Sequence, residues 1–156
     1  MLGQEQDIRM ETLSSPFSSS PVKMGSTHMF TNCVGRIHTG LPPGDLLAVL
    51  HEIEKKCGRR RQQETAGVHA DRVIDLDLLL YGSMILTTKT LTLPHPGMVA
   101  RLFVLAPMAE IDPDLVHPVR RRTITELFHD RMIVNAQLKY PDQEQVTRRS
   151  WQVGRS

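Results

Sequence analysis

The nonapeptide VIDLDLLLY at residues 73–81 limits the architectures open to this chain. Successive side chains of a β-strand point to opposite faces, so the stretch places four aliphatic side chains on one face and Asp75 and Asp77 on the other. Gly82, a common turn residue, follows directly. The pattern therefore predicts a strand here, within a layered fold that contains a sheet.

A second pattern predicts a helix. After Asp45, apolar residues recur at the spacing of one helix face: Leu46, Leu47, Val49, Leu50, Ile53 and Cys57. Gly58 is the expected end of this helix, because glycine readily adopts the left-handed conformation found after helix C-termini. The polar and basic segment 59–70 is predicted to be a loop.

Weaker patterns complete the chain. We predict strands over residues 8–13 and 29–38, a hairpin over 84–93, a helix over 98–109 that Pro107 interrupts, and a short helix over 123–128. The serine-rich run 14–20 is predicted to be a loop, and the polar segment 135–156 a tail. Strands and helices in alternation indicate an α/β or α+β sandwich.

Composition and charge exclude several classes of protein. Nineteen Lys and Arg against seventeen Asp and Glu leave a net charge of +2, which does not imply non-specific electrostatic binding to nucleic acid. The two cysteines lack a metal-type spacing, and no apolar stretch reaches the roughly 18 residues that a membrane helix requires. The first ten residues lack the order of a secretory signal, so we expect a cytoplasmic protein without a membrane partner.

Asp75 and Asp77 are candidate metal ligands. Their Cα atoms would lie about 6.6 Å apart on a strand, and carboxylate oxygens are the ligands that Mg²⁺ prefers. Arg72 and the three arginines at 59–61 would neutralise a polyphosphate beside such a metal. Spacing alone leaves an alternative open, in which the aspartates form a solvated acidic face and the arginines a solvated basic patch.

Longer motifs carry a family resemblance. RVIDLDLLLYG is followed by LTLPHP and RLFVLAPMAEIDPDLVHP, and preceded by SSPFSSSPV, FTNCV and LLAVLHEIEKKCGR. In this order, over residues 8–128, the motifs resemble the 6-hydroxymethyl-7,8-dihydropterin pyrophosphokinases of folate biosynthesis. The resemblance implies a ferredoxin-like α+β fold, a three-layer sandwich in which helices pack on a mostly antiparallel sheet. It also implies the transfer of pyrophosphate from ATP to the hydroxymethyl group of the pterin, with release of AMP.

The resemblance also implies roles for individual residues. Asp75 and Asp77 match the ligands of two Mg²⁺ ions, and the residues that match catalytic arginines are Arg59, Arg61 and Arg72. The residues that match the pterin site are Ser19, Ser20, Val22, Phe30, Asn32 and Phe103. The residues that match the ATP site are His51, Glu54, Arg72, Leu78, Thr92, His95 and Arg101.

Two further expectations concern the domain and its partners. In the family a strand and a helix precede the segment that matches residues 8–22, so we expect the first strand to be missing from a pyrophosphokinase domain at residues 1–134, with the tail at 135–156. We expect ATP and a hydroxymethyl pterin as partners of a monomer, or of a strand-exchanged assembly if the N-terminus is truly shortened.

A second hypothesis comes from a different class. A truncated, inactive relative would use the arginine clusters as a basic interaction module for a partner or for nucleic acid. The chain has only seven aromatic residues with which to stack bases, so we rank this hypothesis below the enzyme.

Overall fold

The computed structural model describes residues 7–20, 29–64, 74–139 and 143–151, without the side chains of 59–64. The chain divides into two compact units. Unit 1 comprises Met1–Arg9 and His38–His95. Unit 2 comprises Met10–Ile37 and Pro96–Ser156.

The described residues form seven strands and three α-helices. In chain order these are β1 (Ile8–Leu13), β2 (Phe17–Ser19), β3 (Phe30–Asn32), β4 (Gly35–Thr39), α1 (Pro43–Glu64), β5 (Leu86–Thr87), β6 (Thr92–Leu93), α2 (Leu102–Ile111), α3 (Ile124–Gln137) and β7 (Val146–Arg148). β1 pairs with β4, β2 lies between β3 and β7 with antiparallel pairing on both sides, and β5 pairs antiparallel with β6. The predicted α+β class is confirmed, and helices with antiparallel sheets agree with the ferredoxin-like expectation.

The region before α1 follows the predicted strands only in part. The strand at 8–13 is confirmed as β1, but the predicted strand at 29–38 is split into β3 and β4. Ser14 explains the break, because its backbone N–H donates to Val34 O and its Oγ accepts from Val34 N, at 2.8 and 2.9 Å. The loop predicted at 14–20 is wrong at β2, where pairing with a strand on each side outweighs the weak strand preference of serine.

Helix α1 begins at Pro43, two residues before the predicted opening at Asp45, and continues beyond its predicted end. Pro43 occupies the first helical position, which suits a residue without an N–H, and Leu46 N donates to Pro42 O at 2.9 Å. The predicted stop at Gly58 is wrong. Gly58 does not take the positive φ of a helix-ending glycine, and the backbone stays helical to Glu64. Residues 65–70 of the predicted loop lie outside the described residues.

The strand predicted over 73–81 is also wrong for its described part. Residues 74–81 are neither strand nor helix. A strand is defined by a ladder of backbone hydrogen bonds, whereas here Leu76 N donates to a side chain, Glu54 Oε1, and Leu79 O accepts a single bond from His95 N. The hairpin predicted over 84–93 is confirmed by β5 and β6.

Each unit has its own set of buried apolar side chains. Those of unit 1 are Ile8, Leu46, Leu50, Ile53, Leu91 and Leu93. Those of unit 2 are Phe17, Met98, Leu102, Val104, Leu105, Met108, Ile124 and Leu127. Within unit 2, α2 contacts α3, β2 and β7. None of the helices in the described part of the chain is both long and apolar enough to span a membrane.

Helices α2 and α3 both extend beyond their predicted ends. The interruption predicted at Pro107 is wrong, because this buried proline lies inside α2, which continues to Ile111. Thr123 caps α3 by accepting a hydrogen bond from Glu126 N at 3.2 Å. α3 then runs to Gln137, well past the predicted short helix at 123–128.

The polar segment 135–156 differs from a free tail over its described part. β7 pairs with β2, and the indole Nε1 of Trp151 donates to Ser14 O at 3.1 Å. Backbone pairing does not require apolar side chains, which is why the polar composition of this segment hides a strand.

Candidate functional site

Asp75 and Asp77 lie on an irregular segment of unit 1 that is held at several points. Glu54 of α1 accepts from Leu76 N at 2.7 Å, so it fixes the backbone between the two aspartates. Further along, Leu79 O accepts from His95 N at 2.8 Å, and Tyr81 Oη donates to Leu41 O at 2.5 Å. The segment is therefore positioned by α1, Leu41 and His95, and it belongs to none of the strands that the structure describes.

The two aspartates suit a cation that is shared with a phosphate. Both are exposed, and their carboxylates have no hydrogen bond or ion pair with another described residue. No three His, Cys, Asp or Glu side chains among the described residues form a group that would hold a metal alone. Mg²⁺ commonly binds through one or two carboxylates together with substrate phosphates and water, so this donor set fits Mg²⁺ better than a metal held by protein alone.

The candidate nucleotide residues of unit 1 lie before, within and after this segment in the sequence, and they differ in how exposed their side chains are. His51 and Glu54 are three residues apart on α1 and therefore share one side of the helix. His51 is exposed, while Glu54 is half-buried. Leu78 and Thr92 are half-buried, and Thr92 opens β6. The structure ties two of these residues to the aspartate segment: Glu54 through Leu76, and His95 through Leu79.

Three candidate pterin residues share one face of the β2–β3 pair in unit 2. Ser19 pairs directly with Phe30, and Asn32 lies two residues beyond Phe30 on the same strand, so all three side chains project to the same side. Asn32 Nδ2 donates to Ser19 Oγ at 3.2 Å. Phe30 remains 51% exposed, which leaves an aromatic ring available beside a polar amide.

Arg101 and Phe103 meet at the start of α2. The Arg101 guanidinium carbon lies 5.8 Å from the centre of the Phe103 ring, within range of a cation–π interaction. The guanidinium also lies close to Gly97, where a Cβ would stand only 2.9 Å from the same carbon. Gly97 therefore provides the space in which the Arg101 side chain rests.

Glu110 and Arg148 support the far end of the β2 region. Glu110 accepts from Ser15 N at 2.7 Å and from Arg148 Nε at 2.7 Å. Partial burial acts to raise the pKa of Glu110, but the Ser15 hydrogen bond and the Arg148 charge outweigh it, so the pKa lies below its ordinary value. The Glu110 carboxylate thus stays charged, and it links α2 to Ser15, which precedes β2, and to Arg148 of β7.

Some predicted site residues lie outside the described residues. These are Val22 and Arg72, and for Arg59 and Arg61 only the helical backbone at the end of α1 is described. Ser20 is described next to β2, where its N–H donates to Gln145 O at 3.1 Å.

Sequence reasoning missed two contacts that carry structural weight. The resemblance places Glu54 near the nucleotide, but its bond to Leu76 joins residues 22 positions apart and no local pattern signals it. Glu144 was missed entirely, because a buried glutamate inside a polar segment looks like a solvated one. Trp151, the only tryptophan of the chain, was the one signal that the C-terminal segment packs onto something.

Comparison with known proteins gives consistent matches. The model of the 7,8-dihydro-6-hydroxymethylpterin-pyrophosphokinase (HPPK) family matches residues 1–113. The chain is 38% identical over 126 residues to the 2-amino-4-hydroxy-6-hydroxymethyldihydropteridine pyrophosphokinase of Haemophilus influenzae, covering 81% of this chain and 76% of that protein. It is 32% identical over 122 residues to the protein of the same name from Aquifex aeolicus, covering 78% and 74%.

A further relative is much longer than this chain. The chain is 36% identical over 121 residues to the folic acid synthesis protein of Pneumocystis carinii, covering 78% of this chain but only 16% of that protein. This chain thus corresponds to one part of a long relative and to most of the shorter ones.

The fold and the two groups of candidate residues define a small α+β protein with an acidic segment in one unit and a polar, aromatic strand face in the other. More specifically, the chain belongs to the HPPK family. The comparisons do not favour the alternative of a nucleic-acid-binding module.

Proposed function

We propose that this chain transfers pyrophosphate from ATP to the hydroxymethyl group of 6-hydroxymethyl-7,8-dihydropterin and releases AMP, a step of folate biosynthesis. The observation that carries the proposal is the strand face of Ser19, Phe30 and Asn32, which lies within the residues matched by the family model. The relatives whose names state this pyrophosphokinase activity support it.

The strand face has the chemistry that a pterin ring requires. After its bond to Ser19, the Asn32 amide keeps its oxygen and a second N–H, which together match the adjacent acceptor and donor of a ring amide edge. Phe30 offers an aromatic face on the same side of the strand, and Phe103 at the start of α2 would be the second ring-binding aromatic. Ser19 and Ser20 would then fix the strand against which the ring lies.

The proposed reaction is a displacement at phosphorus. The hydroxymethyl oxygen of the pterin attacks the β-phosphorus of ATP in line with the bond to the oxygen that bridges the α- and β-phosphates. A bond forms between the pterin oxygen and the β-phosphorus, the bridging oxygen leaves with AMP, and the hydroxyl proton passes to solvent. No covalent intermediate with the protein is needed.

The protein's part in this reaction is to bind, orient and neutralise. Asp75 and Asp77 would hold Mg²⁺, which offsets the charge of the phosphate oxygens when bound. Arg101, together with the predicted arginines at 59, 61 and 72, would add positive charge to the triphosphate. Glu54 would keep the aspartate segment in place through Leu76, while His51, Leu78, Thr92 and His95 would contact the nucleotide.

The strand face is tested by Asn32→Asp. The substitution keeps the shape of the side chain and leaves Ser19 Oγ a partner to which it can donate, but it replaces the ring-facing amide donor with a carboxylate. We expect pterin affinity, measured by calorimetry, to fall at least about tenfold, because an unmatched polar pair in a binding site costs more than about 1.4 kcal/mol.

Thr31→Ala is the matched control. Thr31 is the neighbouring residue, is exposed, and lies on the opposite face of β3, so pterin affinity should stay within about twofold of the parent value. Unchanged pterin binding by Asn32→Asp, or equal losses in the two variants, would rule out this strand face as the pterin site.

A further inference from the structure

The C-terminal segment 143–151 lies against the strand that carries the candidate pterin residues. β7 pairs with β2 so that Ser19 faces Val146 and Ser18 faces Thr147. Just before β7, Gln145 O accepts from Ser20 N at 3.1 Å, and just after it Arg149 N donates to Pro16 O at 2.8 Å. The backbone of this segment therefore holds β2 on the side opposite β3.

The side chain of Glu144 reaches the other half of the same site. Glu144 Oε2 accepts from Leu102 N at 2.8 Å. Leu102 is the first residue of α2 and stands directly between Arg101 and Phe103, the pair that meets at the start of this helix. A carboxylate at this place satisfies one of the unpaired N–H groups of the first helical turn and complements the helix dipole.

Glu144 is itself held firmly by α3. It is only 8% exposed, and Arg131 Nη2 lies 3.6 Å from its Oε1. Asn135 binds both backbone groups of Glu144, donating from Nδ2 to its oxygen at 2.9 Å and accepting from its N–H at 2.8 Å through Oδ1. The Leu102 hydrogen bond and the Arg131 ion pair offset part of the cost of burying the carboxylate, and the two Asn135 bonds fix the backbone from which the side chain projects.

We propose that Glu144 is a positioning residue for the pterin site, an inference that rests on the proposed function. Two consecutive residues join the halves of the site: Gln145 ties the end of β2 through Ser20, and Glu144 ties the start of α2 through Leu102. Ser19 and Asn32 on one side, and Phe103 on the other, are thereby kept at a fixed separation. Ring binding needs such support, since a site held about 1 Å too loosely loses much of its affinity.

The role of Glu144 lies beyond what the family match covers. The family model ends at residue 113, while Glu144 and its partners on α3 follow later in the chain.

The test compares Glu144→Ala with Glu144→Gln in the full chain. Glu144→Ala removes the acceptor of Leu102 N–H, and we expect pterin affinity to fall about tenfold, which corresponds to about 1.4 kcal/mol. Glu144→Gln retains an oxygen that accepts from Leu102 N–H, so pterin affinity should stay within about threefold of the parent value despite the lost charge. In both variants hydrogen exchange at the Leu102 amide is followed as well: it should speed up in Glu144→Ala and stay slow in Glu144→Gln.

Gln145→Ala is the matched control. Gln145 is exposed and contributes its backbone oxygen to Ser20, so removal of its side chain leaves the tie intact and pterin affinity unchanged. The fluorescence of Trp151, the only tryptophan, reports in each variant whether the C-terminal segment still lies against Ser14. Where Glu144→Ala does not fold, Glu144→Asp replaces it, because the shorter side chain withdraws the carboxylate from Leu102 while keeping its charge; the same affinity loss is expected.

Different results would overturn the two claims. Parent-like pterin affinity in Glu144→Ala or Glu144→Asp, or a loss in Glu144→Gln as large as in Glu144→Ala, overturns the positioning role. A parent chain that binds no pterin overturns the proposed function instead. In that case exchange at Leu102 still decides whether Glu144 holds the start of α2, and exchange in Glu144→Ala as slow as in the parent chain overturns that tie.

Discussion

The contact between Glu54 and Leu76 gives a prediction whose size follows from the structure. Glu54→Ala removes a carboxylate that accepts from Leu76 N at 2.7 Å and leaves this half-buried N–H without its acceptor. A hydrogen bond to a charged group contributes about 1.5–3 kcal/mol, and because Glu54 is half-buried the lower part of that range applies. We therefore expect the free energy of unfolding to fall by about 1.5 kcal/mol.

Urea unfolding followed by far-ultraviolet circular dichroism measures this loss, and Glu52→Ala is the control. Glu52 lies two residues earlier on α1, where its 3.5 Å ion pair with Lys55 is exposed and should contribute less than about 0.5 kcal/mol. Both variants replace glutamate by alanine in the same helix, so the change in helix propensity cancels in the comparison.

The same variant should also weaken binding of Mg-ATP. The freed segment must recover its geometry at Asp75 and Asp77 on binding, and this cost lowers the affinity about three- to tenfold in calorimetry. If Glu54→Ala and Glu52→Ala unfold at the same urea concentration and bind Mg-ATP equally well, the reasoning about this contact is refuted.

Three other predictions concern separate parts of the chain. Gly97→Ala should raise the KM for ATP roughly two- to fivefold in a steady-state assay, because the new Cβ displaces the Arg101 guanidinium from Phe103. The backbone φ of −91° at Gly97 accepts alanine, so a large loss of stability in place of the KM effect would contradict the prediction. Asp77→Asn should abolish AMP formation while its urea midpoint stays at the parent value, since this exposed carboxylate has no described partner; retained turnover would exclude the metal role. Burial and the Arg120 charge lower the pKa of His117, whose Nδ1 accepts from Val119 N and Arg120 N. As the pH falls, this histidine is protonated in the unfolded chain at a higher pH than in the folded chain, so the free energy of unfolding should decrease below about pH 6.5. His117→Gln should reduce this pH dependence of urea unfolding, and an unchanged dependence would contradict the prediction.

The sequence predicts best where the signal is local. The strand β1 and the β5–β6 hairpin follow from spacing and turn residues close to them in the chain, and the start of α1 at Pro43 lies two residues from the predicted Asp45. The end of α1 does not, because Gly58 is a helix stop only when it takes a left-handed conformation, and its neighbours keep it helical.

Contacts between distant residues explain the remaining differences. Residues 74–81 have the composition of a strand, but Glu54 and His95 bind their backbone in place of a neighbouring strand. The C-terminal segment is mostly polar, yet β7 pairs with β2 more than 120 residues earlier in the chain. The candidate site residues come from the family resemblance, whereas the supports at Glu54, Gly97 and Glu144 are visible only once the chain is folded.

The most direct test of the proposed function is the mass of the products formed by this chain from Mg-ATP and 6-hydroxymethyl-7,8-dihydropterin. Transfer of the two terminal phosphates as one group predicts equimolar AMP and a pterin that has gained a diphosphate, with neither formed when the pterin is omitted. ADP with a pterin monophosphate, or AMP formed equally well without the pterin, would contradict the proposal.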